Sequence, residues 1–60
     1  MQDRFLRLEE VERMVGFHYS TIYRRIQKGE FPAPIKIGTS SRWRLLDVSA
    51  WMEKVVNRAA

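Results

Sequence analysis

Hydrophobic positions fall into helical rhythms at three places along the chain and into alternation at a fourth. Leu8, Val11 and Val15 recur at i, i+3 and i+7, which predicts a first helix over about 8–15 with one buried stripe. Glu9, Glu10, Glu12 and Arg13 are left to solvent, with the acids suited to the positive end of the helix dipole and Glu9 and Arg13 spaced for an i, i+4 pair. Gly16 suits the left-handed residue that ends a helix, and Phe17 provides an apolar plug for a tight turn. A second helix is predicted from His18 or Tyr19 to Lys28, with Gly29 as its stop. At about 100° per residue, Ile22, Ile26, Tyr19 and Tyr23 share one arc, and Arg24, Lys28, Thr21 and Arg25 fill another opposite it. One arc calls for a core and the other for an anion.

Pro32 and Pro34 then exclude helix and hold an extended loop, from which Phe31 can plug the core. Ile35-Lys36-Ile37 and Arg42-Trp43-Arg44 alternate in opposite phase around Gly38-Thr39-Ser40-Ser41, the pattern of a hairpin. With Ile35, Ile37 and Trp43 inward, the outward face carries Lys36, Arg42 and Arg44 as a basic wing. Val48, Trp51, Met52 and Val55 predict a third helix that packs, capped near Asp47, and Ala59-Ala60 is expected to fray. The expected fold class is mainly α with a small β-hairpin: a winged helix-turn-helix of three helices plus wing, in a single domain over 1–60. In such a fold the second helix enters the DNA major groove.

Sixty residues support one small core, which rarely supplies more than about 3–5 kcal/mol of net stability. With no cysteine and a lone histidine, His18, there is no basis for a disulfide framework or a metal site, and no cofactor is expected. No apolar run approaches a membrane span and the opening MQDRFLRLEE lacks a secretory apolar region, so a cytoplasmic protein with no membrane partner is expected. The formal charge of +4 is unevenly spread. Between residues 19 and 44 six cations, Arg24, Arg25, Lys28, Lys36, Arg42 and Arg44, face one acid, Glu30, which concentrates the surplus in the second helix and the hairpin.

Double-stranded DNA is the partner this distribution fits. Arg24 or Arg25 can make the bidentate contact with guanine O6 and N7 while the other goes to phosphate, and the sequence leaves open which does which. Ser20 and Thr21, at the helix N-terminus with its unpaired N–H groups, suit a phosphate or base edge, or serve as caps. Tyr19 can touch the sugar-phosphate backbone, although its angle sides with partial burial. Arg42 and Arg44, with Ser41 and Lys36, can reach flanking phosphates or the minor groove; the alternative is a charge-blunted edge strand. Trp43 and Trp51 are in phase with apolar neighbours and read as core rather than base-stacking residues. An enzyme is not expected: His18 has no orienting carboxylate or cysteine partner, Ser40 and Ser41 sit in turn context, and no glycine-rich phosphate loop exists.

The ordered set LRLEEVERMVGF, STIYRRIQKGEFPAPIKIG and RWRLLDVSAWM, across about residues 5–55, resembles the AlpA-type prophage regulators, a branch of the small excisionase group with MerR-like winged helix-turn-helix domains. The resemblance implies DNA binding through the second helix and wing, and a role as transcriptional regulator, as excisionase setting recombination direction, or as both. Where that family has a serine cap followed by arginine, this chain has His18 and Tyr19, so the cap falls to His18 or Ser20. Its wing reads GTSSR, a residue shorter, with Arg42 standing in for the arginine near the tip. The family's third-helix cap falls at Leu46, beside Asp47. MerR proteins dimerise through a long C-terminal helix, so no stable dimer is expected here. One module buries only ~600–1,000 Å² on DNA, which favours cooperative self-association on adjacent sites, in direct repeats. The rival expectation is a phage accessory module that docks on an integrase or polymerase through the acidic first helix or apolar residues near Val56.

Overall fold

Leu6, Val11, Ile22, Phe31, Trp43 and Val48 form the buried core, none more than 5% exposed. In the computed structural model, which describes residues 2–59, they come from five elements and one loop. The order is β1 (Phe5–Leu6), α1 (Leu8–Val15), α2 (Tyr19–Gln27), β2 (Ile35–Ile37), β3 (Ser40–Arg44) and α3 (Leu45–Ala59). Only β2 contributes nothing to the core. Of the fraying expected at Ala59-Ala60, Ala60 lies outside the described residues.

The helices begin and end where local chemistry dictates. Arg7 N–H donates to Glu10 Oε1 at 2.9 Å, closing the first turn of α1. Gly16, at φ +77°, ends α1 in the left-handed conformation. Phe17 packs against the core, its ring edge-on to Trp51 with centroids 6.2 Å apart. The αL residue Gly29, at φ +73°, follows the C-cap Lys28 of α2. The loop beyond is pinned by both indoles: Trp43 Nε1–H donates to the Pro32 carbonyl at 3.0 Å, and Trp51 Nε1–H to the Glu30 carbonyl at 2.7 Å. Phe31 is buried as the expected plug, its ring 4.7 Å from that of Trp51.

The sheet differs from the expected hairpin in three ways. It has a third strand, β1, giving the antiparallel order β1-β3-β2. The chain turns back at Gly38-Thr39 alone, Ser40 and Ser41 already belonging to β3, and Gly38 takes φ +64° at the first turn position. This two-residue turn sets Ile37 opposite Ser40, Lys36 opposite Ser41 and Ile35 opposite Arg42. Residues directly opposite share a face, and faces alternate along a strand. Ile35 and Ile37 therefore lie with Arg42 and Arg44, not with Trp43, and are 40% and 46% exposed. The expectation that both isoleucines turn inward, leaving Lys36 beside the two arginines, is overturned by the register.

β3 runs into α3 without a loop, and the N-terminal segment supplies the cap. Leu45 N–H donates to the Arg4 carbonyl at 2.8 Å and Leu46 N–H to Asp3 Oδ1 at 3.0 Å. The cap expected near Asp47 is thus filled by Asp3, which sequence proximity could not indicate. No helix among the described residues is long and apolar enough to cross a membrane.

Candidate nucleic-acid interface

Helix α2 is held from behind and left open in front. Ile22 is fully buried and Ile26 half-buried against the core. The four amides of its first turn are all engaged. Tyr19 N–H donates to Glu12 Oε2 of α1 at 2.8 Å. Ser20 N–H donates to His18 Nδ1 at 3.3 Å, with the Ser20 hydroxyl 2.9 Å from the same nitrogen. Thr21 and Ile22 N–H groups donate to the His18 carbonyl. His18 is therefore the N-cap, and the unpaired N–H groups expected near Ser20 and Thr21 for a phosphate are not there.

Opposite Ile22, the helical period places Ser20, Arg24 and Gln27, with Lys28 at the C-cap, and all four are exposed. Arg24 Nη2 reaches the Thr21 hydroxyl at 3.4 Å, a long hydrogen bond that leaves the guanidinium available. Arg25 is withdrawn from this face: its guanidinium carbon lies 4.9 Å from the centroid of the Phe17 ring, and Nη1 is 4.0 Å from Glu30 Oε1. Tyr19 is half exposed, its ring tilted on His18 with centroids 4.4 Å apart. Tyr23, placed by its angle with the core, is 37% exposed and meets Trp43 edge-on at 6.2 Å.

The Tyr23–Trp43 contact shows which sheet face turns toward α2. Lys36 and Ser41 share that face with Trp43. Arg42 and Arg44 project from the other face. Arg42 Nη1–H donates to the Ser41 carbonyl at 2.9 Å, and Arg44 Nε–H to Asp3 Oδ2 at 2.7 Å. The carboxyl of Asp3 is held below its ordinary range by the Leu46 N–H and the Arg44 guanidinium, and Arg44 is raised in turn by Asp3. Glu10 is likewise lowered, by Arg7 N–H and by Arg4, whose Nη1 is 3.0 Å away. Arg44 thus serves the α3 cap.

Of the ten residues singled out in the sequence, the structure brings Ser20, Thr21, Arg24 and Lys28 to one helix side, flanked by Tyr19, and sets Lys36 and Ser41 on the sheet face from which Trp43 meets Tyr23. It turns Arg25 toward Phe17 and places Arg42 and Arg44 on a separate face. Gln27 and Tyr23 are additions. Gln27 is legible from its angle opposite Ile22, but, uncharged, it lies outside the cationic pattern.

Together the turn, the cationic helix and the hairpin define a winged helix-turn-helix protein. Over residues 4–56 the chain matches the family described as Prophage CP4-57 regulatory protein (AlpA), and it belongs to that family. It is also similar to "Uncharacterized protein ORF88" of Enterobacteria phage P4, 46% identical over 52 residues that cover 85% of this chain and 59% of that protein. The chain thus spans about three fifths of that relative's length. No solved structure matches it.

Proposed function

We propose that the chain regulates transcription from a prophage or mobile element, sets the direction of its recombination as an excisionase, or does both, by seating α2 in the DNA major groove. The wing then lies on flanking backbone or minor groove. The observation that carries this reading is the open side of α2: Ser20, Arg24, Gln27 and Lys28 stand out together on a helix whose opposite face is fixed in the core. A helix projecting cations and an amide suits groove entry, because phosphate contacts fix position and register while base edges specify sequence. Lys36, and Ser41 beside it, extend the contact. Adjacent copies on direct repeats supply the area that one module lacks.

Gel retardation of duplex DNA from the gene's own upstream region tests the reading. Arg24→Glu combined with Lys28→Glu is expected to abolish retention while the fold, followed by circular dichroism, persists. Unchanged retention refutes it.

One observation favours a second reading, docking on an integrase or polymerase. Phe5, Ile35 and Ile37 stand exposed on the outer sheet face around Arg42, an apolar patch of the kind protein contacts use. Ile37→Glu separates the two: it spares DNA retention under the first reading and removes integrase binding under the second.

A further inference from the structure

We propose that Arg24 and Gln27 form a base-reading pair, Arg24 for guanine and Gln27 for adenine on a neighbouring base pair of the operator. This rests on the reading that α2 enters the major groove and adds what it recognises there.

Elimination comes first. The Ser20 hydroxyl is engaged by the His18 ring and Thr21 by Arg24, while Tyr19 leans on His18 at the helix start. Arg25 faces Phe17 and Glu30. Lys28, at the C-cap, is a point charge suited to phosphate. Arg24 and Gln27 remain, both exposed and both opposite Ile22. Gln27 has no side-chain hydrogen bond within the described residues, so its amide N–H and C=O are both free to bond outward.

Chemistry then assigns the bases. A guanidinium fork matches guanine O6 and N7, and a primary amide matches adenine N6 and N7, each with two parallel hydrogen bonds. Residues three apart on a helix are surface neighbours, offset by about 4.5 Å along the axis. Successive bases on a strand are about 3.4 Å apart, so the two side chains address adjacent base pairs. Arg24 is steadied by Thr21, one turn back.

The test is binding-site selection by the full chain from a duplex library randomised at its central positions. The wild type is expected to enrich a G·C pair beside an A·T pair. Gln27→Ala is expected to lose the preference at the A·T position alone, with affinity for the selected site down roughly 5- to 150-fold. Arg24→Ala is expected to lose the guanine. Gln27→Glu is expected to exchange adenine for cytosine, whose N4 amine a carboxylate accepts. Because Gln27 is exposed, all its variants are expected to keep the wild-type circular dichroism. A wild-type motif retained by Gln27→Ala, or a loss equal for all sequences, overturns the pair. Duplex binding by the wild type without sequence preference overturns the pair but leaves groove entry standing. No duplex binding at all overturns both.

Discussion

The carboxylate of Glu12 accepts the backbone N–H of Tyr19 at 2.8 Å, so the middle of α1 holds the first turn of α2. This is a cap supplied from a neighbouring helix, and it fixes the angle at which α2 projects. Glu12→Ala is expected to destabilise the domain by about 1 kcal/mol, the usual cost of losing a capping side chain. Urea unfolding gives the cost. Hydrogen exchange is expected to quicken first at Tyr19.

The two tryptophans make similar bonds in different surroundings. Trp43 is 1% exposed and its partner, the Pro32 carbonyl, loses its donor in Trp43→Phe. A cost of about 1–3 kcal/mol is expected, as for a polar group left without a partner. Trp51 is only half-buried, and water can replace its indole at the Glu30 carbonyl. Trp51→Phe is expected to cost less than Trp43→Phe when both are compared by urea titration.

Asp3 links the N-terminal segment to the start of α3 through Leu46 and Arg44. Its carboxyl is held below the ordinary range in the folded state, so it stabilises the fold fully above the unfolded value of about 3.9. That contribution disappears as pH falls through the lowered folded value. Glu10 behaves alike. Asp3→Asn is expected to be less stable than the wild type near neutrality, with the gap closing in acid below about pH 3.9. Thermal unfolding of both proteins across that range checks the sign. A gap that widens in acid contradicts the cap.

Adjacent arginines on α2 have different surroundings, and their substitutions are expected to separate accordingly. Arg24→Ala is expected to weaken DNA binding, leaving stability within about 0.5 kcal/mol, as for an exposed residue. Arg25→Ala removes packing over Phe17 and the approach to Glu30. It is expected to lower stability by about 0.5–1 kcal/mol and to affect DNA binding less. Parallel duplex titrations and urea melts measure both.

What the sequence revealed was local. Leu8 to Val15 form the helix their spacing predicts, and Gly16 and Gly29 adopt the positive φ that their positions call for. Ile22 and Ile26 pack inward, so the orientation of α2 was also legible. The hairpin is legible as an element, but alternation alone does not say which positions share a face. Any turn of two or four residues puts Ile35 and Ile37 on the face of Arg42 and Arg44, so the faces follow from the parity of the turn, and the two-residue turn Gly38-Thr39 sets Ile35 opposite Arg42. β1 and the Asp3 cap depend on residues some forty positions away, which local pattern does not register. Arg25 was grouped with Arg24 by angle; that its long side chain folds back over Phe17 is a tertiary fact.

Salt dependence of duplex affinity tests the central claim most directly. Among the described residues, no carboxylate lies within 4.0 Å of Arg24, Lys28, Lys36 or Arg42. With Lys28 and Lys36 on phosphate, joined by Arg42 where the wing meets the backbone, log K is expected to fall with log salt at a slope of about −2 to −3. A slope near zero contradicts seating of α2 and the wing on DNA.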